Sequence, residues 1–128
     1  MEKKSELTCA DLMLYVGCTC KTPAGHGIID AVSRERIRVE IEFMGYVLPP
    51  DDVTPILRPL SDMTEEEALA WAEFFGGHSV ALDEGPITFF RRYYSDYCSA
   101  ESVLYLLSRH FDLFGWIPTG LAIDKTKI

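Results

Sequence analysis

The sequence predicts an α+β fold: a single domain, 1–128, with a small, curled antiparallel sheet of the SH3-like kind followed by helices packed on it. Three observations carry this expectation. Residues 18–60 read as short apolar–polar alternations separated by turn residues, the pattern of strands with one wet face. Residues 64–128 contain helix-capping sequences followed by apolar positions at helical spacing. The last third stays apolar almost to its end, with Leu121, Ala122 and Ile123 close to the terminus. Leaving such side chains in water forgoes roughly 1.5–3 kcal/mol each, so the tail is expected inside the core. Strands first and helices afterwards make the class α+β rather than α/β.

Thr8-Cys9-Ala10-Asp11 has the form of a capping box; Leu12, Met13, Tyr15 and Val16 fit one face of a short helix or a strand, and the cap favours a helix that stops at Gly17. Cys18–Thr22 alternates as a strand, 23–27 supplies a turn, and Ile28–Val32 resumes the sheet. Arg36–Phe43 is the clearest strand, with Ile37, Val39, Ile41 and Phe43 facing one way and charges the other. Pro49-Pro50-Asp51-Asp52 breaks the chain before a strand over Val53–Leu57. Thr64 and Glu67 form a second capping box, and Ala68, Trp71, Ala72 and Phe75 continue as one apolar stripe until Gly76-Gly77. The region near 78–94 carries an expected β segment: His78–Leu82 reads as a strand, while Ile87–Tyr94 suits strand or helix because strict alternation is missing. Ser99 then caps a helix to about His110, with Val103, Leu104, Leu106 and Leu107 as its buried side.

Composition narrows the function classes. The apolar runs are far shorter than the roughly 20 residues of a membrane span. Met1–Glu6 carries charges of both signs with no apolar segment behind it, so a cytoplasmic protein is expected. Net charge is −8, with −3 on residues 1–64 and −5 on 65–128. Nucleic-acid affinity rests on phosphate neutralisation, so that balance makes nucleic acid an unlikely partner. Four cysteines without a secretory signal favour free, mostly buried thiols over disulfides. A zinc site from Cys18, Cys20 and Cys98, with His26 or Cys9 as fourth ligand, would lack the usual paired spacing.

No residue is nominated as catalytic, as a metal ligand or as a cofactor holder. His26, His78 and His110 are scattered, and His110 suits a helix C-terminus, where positive charge is welcome. Glu65-Glu66-Glu67 is explained by the dipole of the helix it opens. The best candidate for a contact surface is the Arg/Tyr-rich segment with Arg91, Arg92, Tyr93, Tyr94 and Tyr97, joined by Trp116, since Arg and Tyr dominate binding hot spots.

Two blocks, Pro55–Glu67 (PILRPLSDMTEEE) and Tyr105–Ile117 (YLLSRHFDLFGWI) with its continuation Gly120–Asp124 (GLAID), resemble a group of small uncharacterised proteins of anaerobic gut bacteria and their prophages. The resemblance implies an intracellular protein associated with mobile elements and carries no activity, cofactor or site residue. Residues 76–98 lie outside the matching pattern. The expected function is that of a non-enzymatic accessory protein of phage or prophage acting by protein binding. The alternatives are a nucleic-acid-associated or nucleic-acid-mimicking protein, and an enzyme with an unrecognised site. Arg58 and Asp62 fall inside the first block, where a polar strand-to-helix junction accounts for them as well as a site would.

Overall fold

The Thr8 hydroxyl accepts the Asp11 N–H at 3.2 Å and the Asp11 carboxylate accepts the Thr8 N–H at 2.9 Å, closing the first predicted capping box. The computed structural model describes residues 7–94, 96 and 99–128. The helix so started, α1 (Cys9–Met13), buries Leu12 and, just beyond its end, Tyr15, whereas Met13 and Val16 face solvent.

Strands β1 (Thr19–Thr22), β2 (Gly25–Val32), β3 (Ile37–Ile41) and β4 (Met44–Leu48) pair in turn as antiparallel neighbours. β5 (Thr54–Leu57) lies antiparallel beside β1, and β6 (Ile123–Asp124) joins β5 in parallel, giving the order β4-β3-β2-β1-β5-β6. The sheet is therefore mixed, which corrects the all-antiparallel expectation. All the helices after β5 intervene before β6, ample chain for a parallel return. The apolar tail docks here, with Ala122 buried beside the strand it precedes.

Alternation in β3 follows the prediction through Ile41, with Ile37, Val39 and Ile41 buried and Arg38 and Glu40 exposed. Phe43 departs from it and is 96% exposed. Glu42 and Phe43 both take left-handed φ, 50° and 70°, so they form a two-residue hairpin and the strand stops before them. β4, which follows, has no strand expectation in the sequence because Met44-Gly45-Tyr46-Val47-Leu48 does not alternate; its first four residues are exposed and Leu48 is half-buried against the sheet cluster.

In α2 (Glu65–Glu73) the Thr64 hydroxyl accepts the Glu67 N–H at 3.1 Å and the Glu67 carboxylate accepts the Thr64 N–H at 3.0 Å. Thr64→Ala is expected to cost about 1 kcal/mol through loss of that cap, read as a lower midpoint in urea at unchanged slope. An unchanged midpoint would contradict the assignment.

The expected β segment near 78–94 is instead two helices, α3 (His78–Glu84) and α4 (Pro86–Tyr93). Gly85, at φ 100°, makes the corner between them, and Pro86 takes a first-turn position where its missing N–H costs nothing. The aromatic β-formers here are overridden by packing, since Phe89 and Phe90 are buried against Trp71. α5 (Ala100–Ser108) begins at Ser99, whose hydroxyl accepts the Ser102 N–H at 3.1 Å. Leu106 and Leu107 are buried as expected, but Leu104 turns to solvent.

The interior has two clusters. In the first, Leu12, Tyr15 and Cys18, which precedes β1, meet Cys20, Ile29, Ile37, Val39 and Leu57 of the sheet, with Trp116 and Ala122 from the tail. In the second, Met63, Ala68, Trp71 and Ala72 meet Ala81, Phe89, Phe90, Leu106 and Phe111. The clusters join along α5 and its C-terminal continuation, where Leu107 belongs to the first, Leu106 to the second, and Leu113 touches both. The buried Tyr15 hydroxyl donates to the Phe111 carbonyl at 2.6 Å and stitches α1 to this seam, its phenol pKa raised by burial. Among the described residues no helix is long and apolar enough to cross a membrane.

Candidate binding groove

Helix α4 presents Ile87, Phe90 and Arg91, and its C-cap Tyr94 continues them at i, i+3, i+4 and i+7 on a single helical face. Opposite this face stand Leu60, Ser61 and Met63 from the segment that leads into α2, and the two sides enclose a cavity of about 250 Å³. Tyr94 is fixed by stacking on Phe90, ring centres 4.9 Å apart, and by an edge contact with Trp71 at 6.3 Å. Arg91 is exposed at the groove and joins no ion pair among the described residues.

The wall made by residues 60–63 is held at both ends by one ionic knot. Arg58 donates from Nη1 and Nη2 to the two Glu67 carboxylate oxygens at 2.7 and 2.8 Å, and from Nε to Asp62 at 2.9 Å. Its Nη2 also reaches the Asp62 carbonyl at 2.9 Å, and its guanidinium lies over the Phe111 ring at 4.3 Å. Glu67 is buried, yet the hydrogen bonds from Arg58 hold its pKa down to about 2 despite the opposing effect of burial. The guanidinium pKa is raised in turn. Arg58, Asp62 and Glu67 are thus committed to one another as scaffold, and they position the groove.

The predicted contact segment divides across α4. Arg91 and Tyr94 share the groove, whereas Arg92 turns to the other flank, where it meets Glu84 at 3.4 Å and lies 5.5 Å from the Tyr93 ring centre. Tyr93, half-buried against Phe89, lines a second cavity of about 350 Å³ with Phe75, Gly76, Gly77 and Val80. Tyr97 lies outside the described residues. Trp116 is not a surface residue: it is 9% exposed, with its ring 5.4 Å from Tyr15, and the Asp112 carboxylate accepts its backbone N–H at 3.0 Å. The sequence reading missed Leu60, Ser61 and Met63, which join the groove through tertiary packing alone. The i, i+3, i+4, i+7 spacing on α4 was the available signal.

The other reactive side chains are dispersed. His26 and His78 are exposed, and His110 sits half-buried with φ 65°. Burial, then Lys125 and Arg58, lower the His110 pKa, against the direction in which a helix C-terminus would move an imidazole. Cys9, Cys18 and Cys20 are free, buried thiols, as expected, and Cys98 lies outside the described residues. Burial pushes Cys18 up to about 12 and Cys20 up to about 11, which keeps both as poorly nucleophilic thiols at neutral pH. Among the described residues no three His, Cys, Asp or Glu side chains cluster to hold a metal ion. No protein-family model, curated protein or solved structure matches the chain.

Proposed function

We propose that this protein is a cytoplasmic, non-enzymatic accessory protein of phage or prophage that works by binding another protein through the α4 groove. The carrying observation is that Arg91, free of any ion pair among the described residues, lies beside Tyr94 on one apolar groove. About 250 Å³ is below the usual range of sites for drug-sized ligands and fits one or two side chains. Arg and Tyr around an apolar socket are the composition of a protein hot spot. On a chain of net charge −8, a rim guanidinium with no ion pair among the described residues selects a partner that sets an acidic residue beside the inserted apolar one. The phage or prophage setting rests on the two sequence blocks.

Affinity capture from the native host during prophage induction, run in parallel with the parent chain and Arg91→Glu, tests this. A protein held by the parent should be held at least about ten-fold less by the variant, with the two chains melting alike. Equal retention by both would refute the groove. No retained protein, together with a metabolite that raises the melting temperature, would move the reading to an enzyme.

A further inference from the structure

Among the described residues β4 is the outer strand of the sheet, and one side of its backbone has no strand beside it. The hairpin fixes which groups that side carries. A two-residue turn at Glu42-Phe43 makes Ile41 and Met44 a hydrogen-bonded pair, and alternation along the ladder does the same for Val39–Tyr46 and Ile37–Leu48. The backbone groups of Met44, Tyr46 and Leu48 therefore point into the sheet, and those of Gly45 and Val47 point outward. Folded proteins usually blunt such an edge with charge, proline or a bulge. Here the run Phe43–Leu48 contains neither a charge nor a proline, with Met44 61%, Val47 64% and Tyr46 37% exposed.

The geometry points to a second copy of this chain as the occupant, with β4 pairing antiparallel to β4 of the other copy about a two-fold axis at Tyr46. In that register Gly45 faces Val47 of the second copy and Val47 faces its Gly45. The two pairs make four N–H···O=C bonds and satisfy every outward group between them. Tyr46 meets Tyr46 of the second copy in the closely spaced pair, and Met44 meets its Leu48. These residues extend the apolar layer of Ile37, Val39 and Ile41 across the junction. Sliding the axis to Val47 would set Gly45 against Pro49, which has no N–H to give, so the Tyr46 register is favoured. Charge selects the same place. Two chains of −8 repel, and this edge brings them together along an uncharged strip, while Arg38, beside Val47 in the ladder, is already paired with Asp30.

Light scattering over a concentration series is expected to show a mass rising from 14.5 kDa towards twice that value. Val47→Lys should weaken association at least about ten-fold, with the dilute chain melting as the parent does. The register has its own readout in a Cys98→Ser background under mild oxidation. Tyr46→Cys should form an intermolecular disulfide, because closely spaced pairs set Cα atoms about 4.5 Å apart. Val47→Cys should not, because the two substituted positions would lie about 8 Å apart. A monomer at every concentration, a dimer indifferent to Val47→Lys, or Val47→Cys cross-linking as fast as Tyr46→Cys would each overturn the proposal.

Discussion

Trp71→Ala is expected to remove about 3–5 kcal/mol of stability, among the largest losses a single core truncation produces. Trp71 is 1% exposed and stands at the centre of the helical cluster. Its ring centre lies 4.9 Å from Phe75 and from Phe90, 6.2 Å from Phe89 and 6.3 Å from Tyr94. These neighbours come from the turn after α2, from α4 and from the residue after α4, so none can fill the space without breaking contacts with the others. Cavity cost therefore adds to transfer cost. The melting temperature should fall by roughly 10–20 °C at this chain length. Because the sheet cluster has its own residues, Ile37 and Val39 among them, the loss should appear first as exchange of α2 and α4 amides. A decrease below about 1 kcal/mol would mean that the indole faces solvent.

The parts of this fold that could be read from sequence are those decided locally. Capping boxes at Thr8 and Thr64 are one-turn events, and the β3 alternation is a two-residue period that one buried face enforces. What escaped was decided across the chain. Ile87–Tyr94 has β-forming composition, yet Phe89 and Phe90 bury best on one helical face against Trp71. Trp116 reads as a surface aromatic until Asp112 caps the turn that folds it onto Tyr15. β6 has only Ile123 and Asp124, too short for any period to register, and it exists because β5 offers an edge. The candidate groove was half legible for the same reason. Its α4 side follows helical spacing, but its other wall is set by the Arg58–Glu67 pair closing a loop.

Arg58→Ala is expected to cost about 3–5 kcal/mol at neutral pH, because it strands a buried carboxylate. The side chain of Glu67 is 7% exposed, and its remaining charged neighbour, Arg109, approaches only at 3.4 Å from a half-exposed position. One contact of that kind cannot replace a two-pronged fork. Removing both charges with apolar residues of similar size, as in Arg58→Met with Glu67→Leu, should recover much of the loss. The pH dependence separates this mechanism from simple loss of packing. Glu67 has its folded pKa depressed from 4.5 to about 2, so its contribution is complete above the unfolded value and disappears as pH falls through that window. In Arg58→Ala the carboxyl keeps its burial but loses the partner that held it down, so acid relieves the variant by protonating Glu67 while it weakens the parent. The urea-unfolding free energies of the two chains should therefore converge between about pH 4.5 and 2. A constant gap across that range would show that Arg58 acts through its contact with Phe111 and not through its charge.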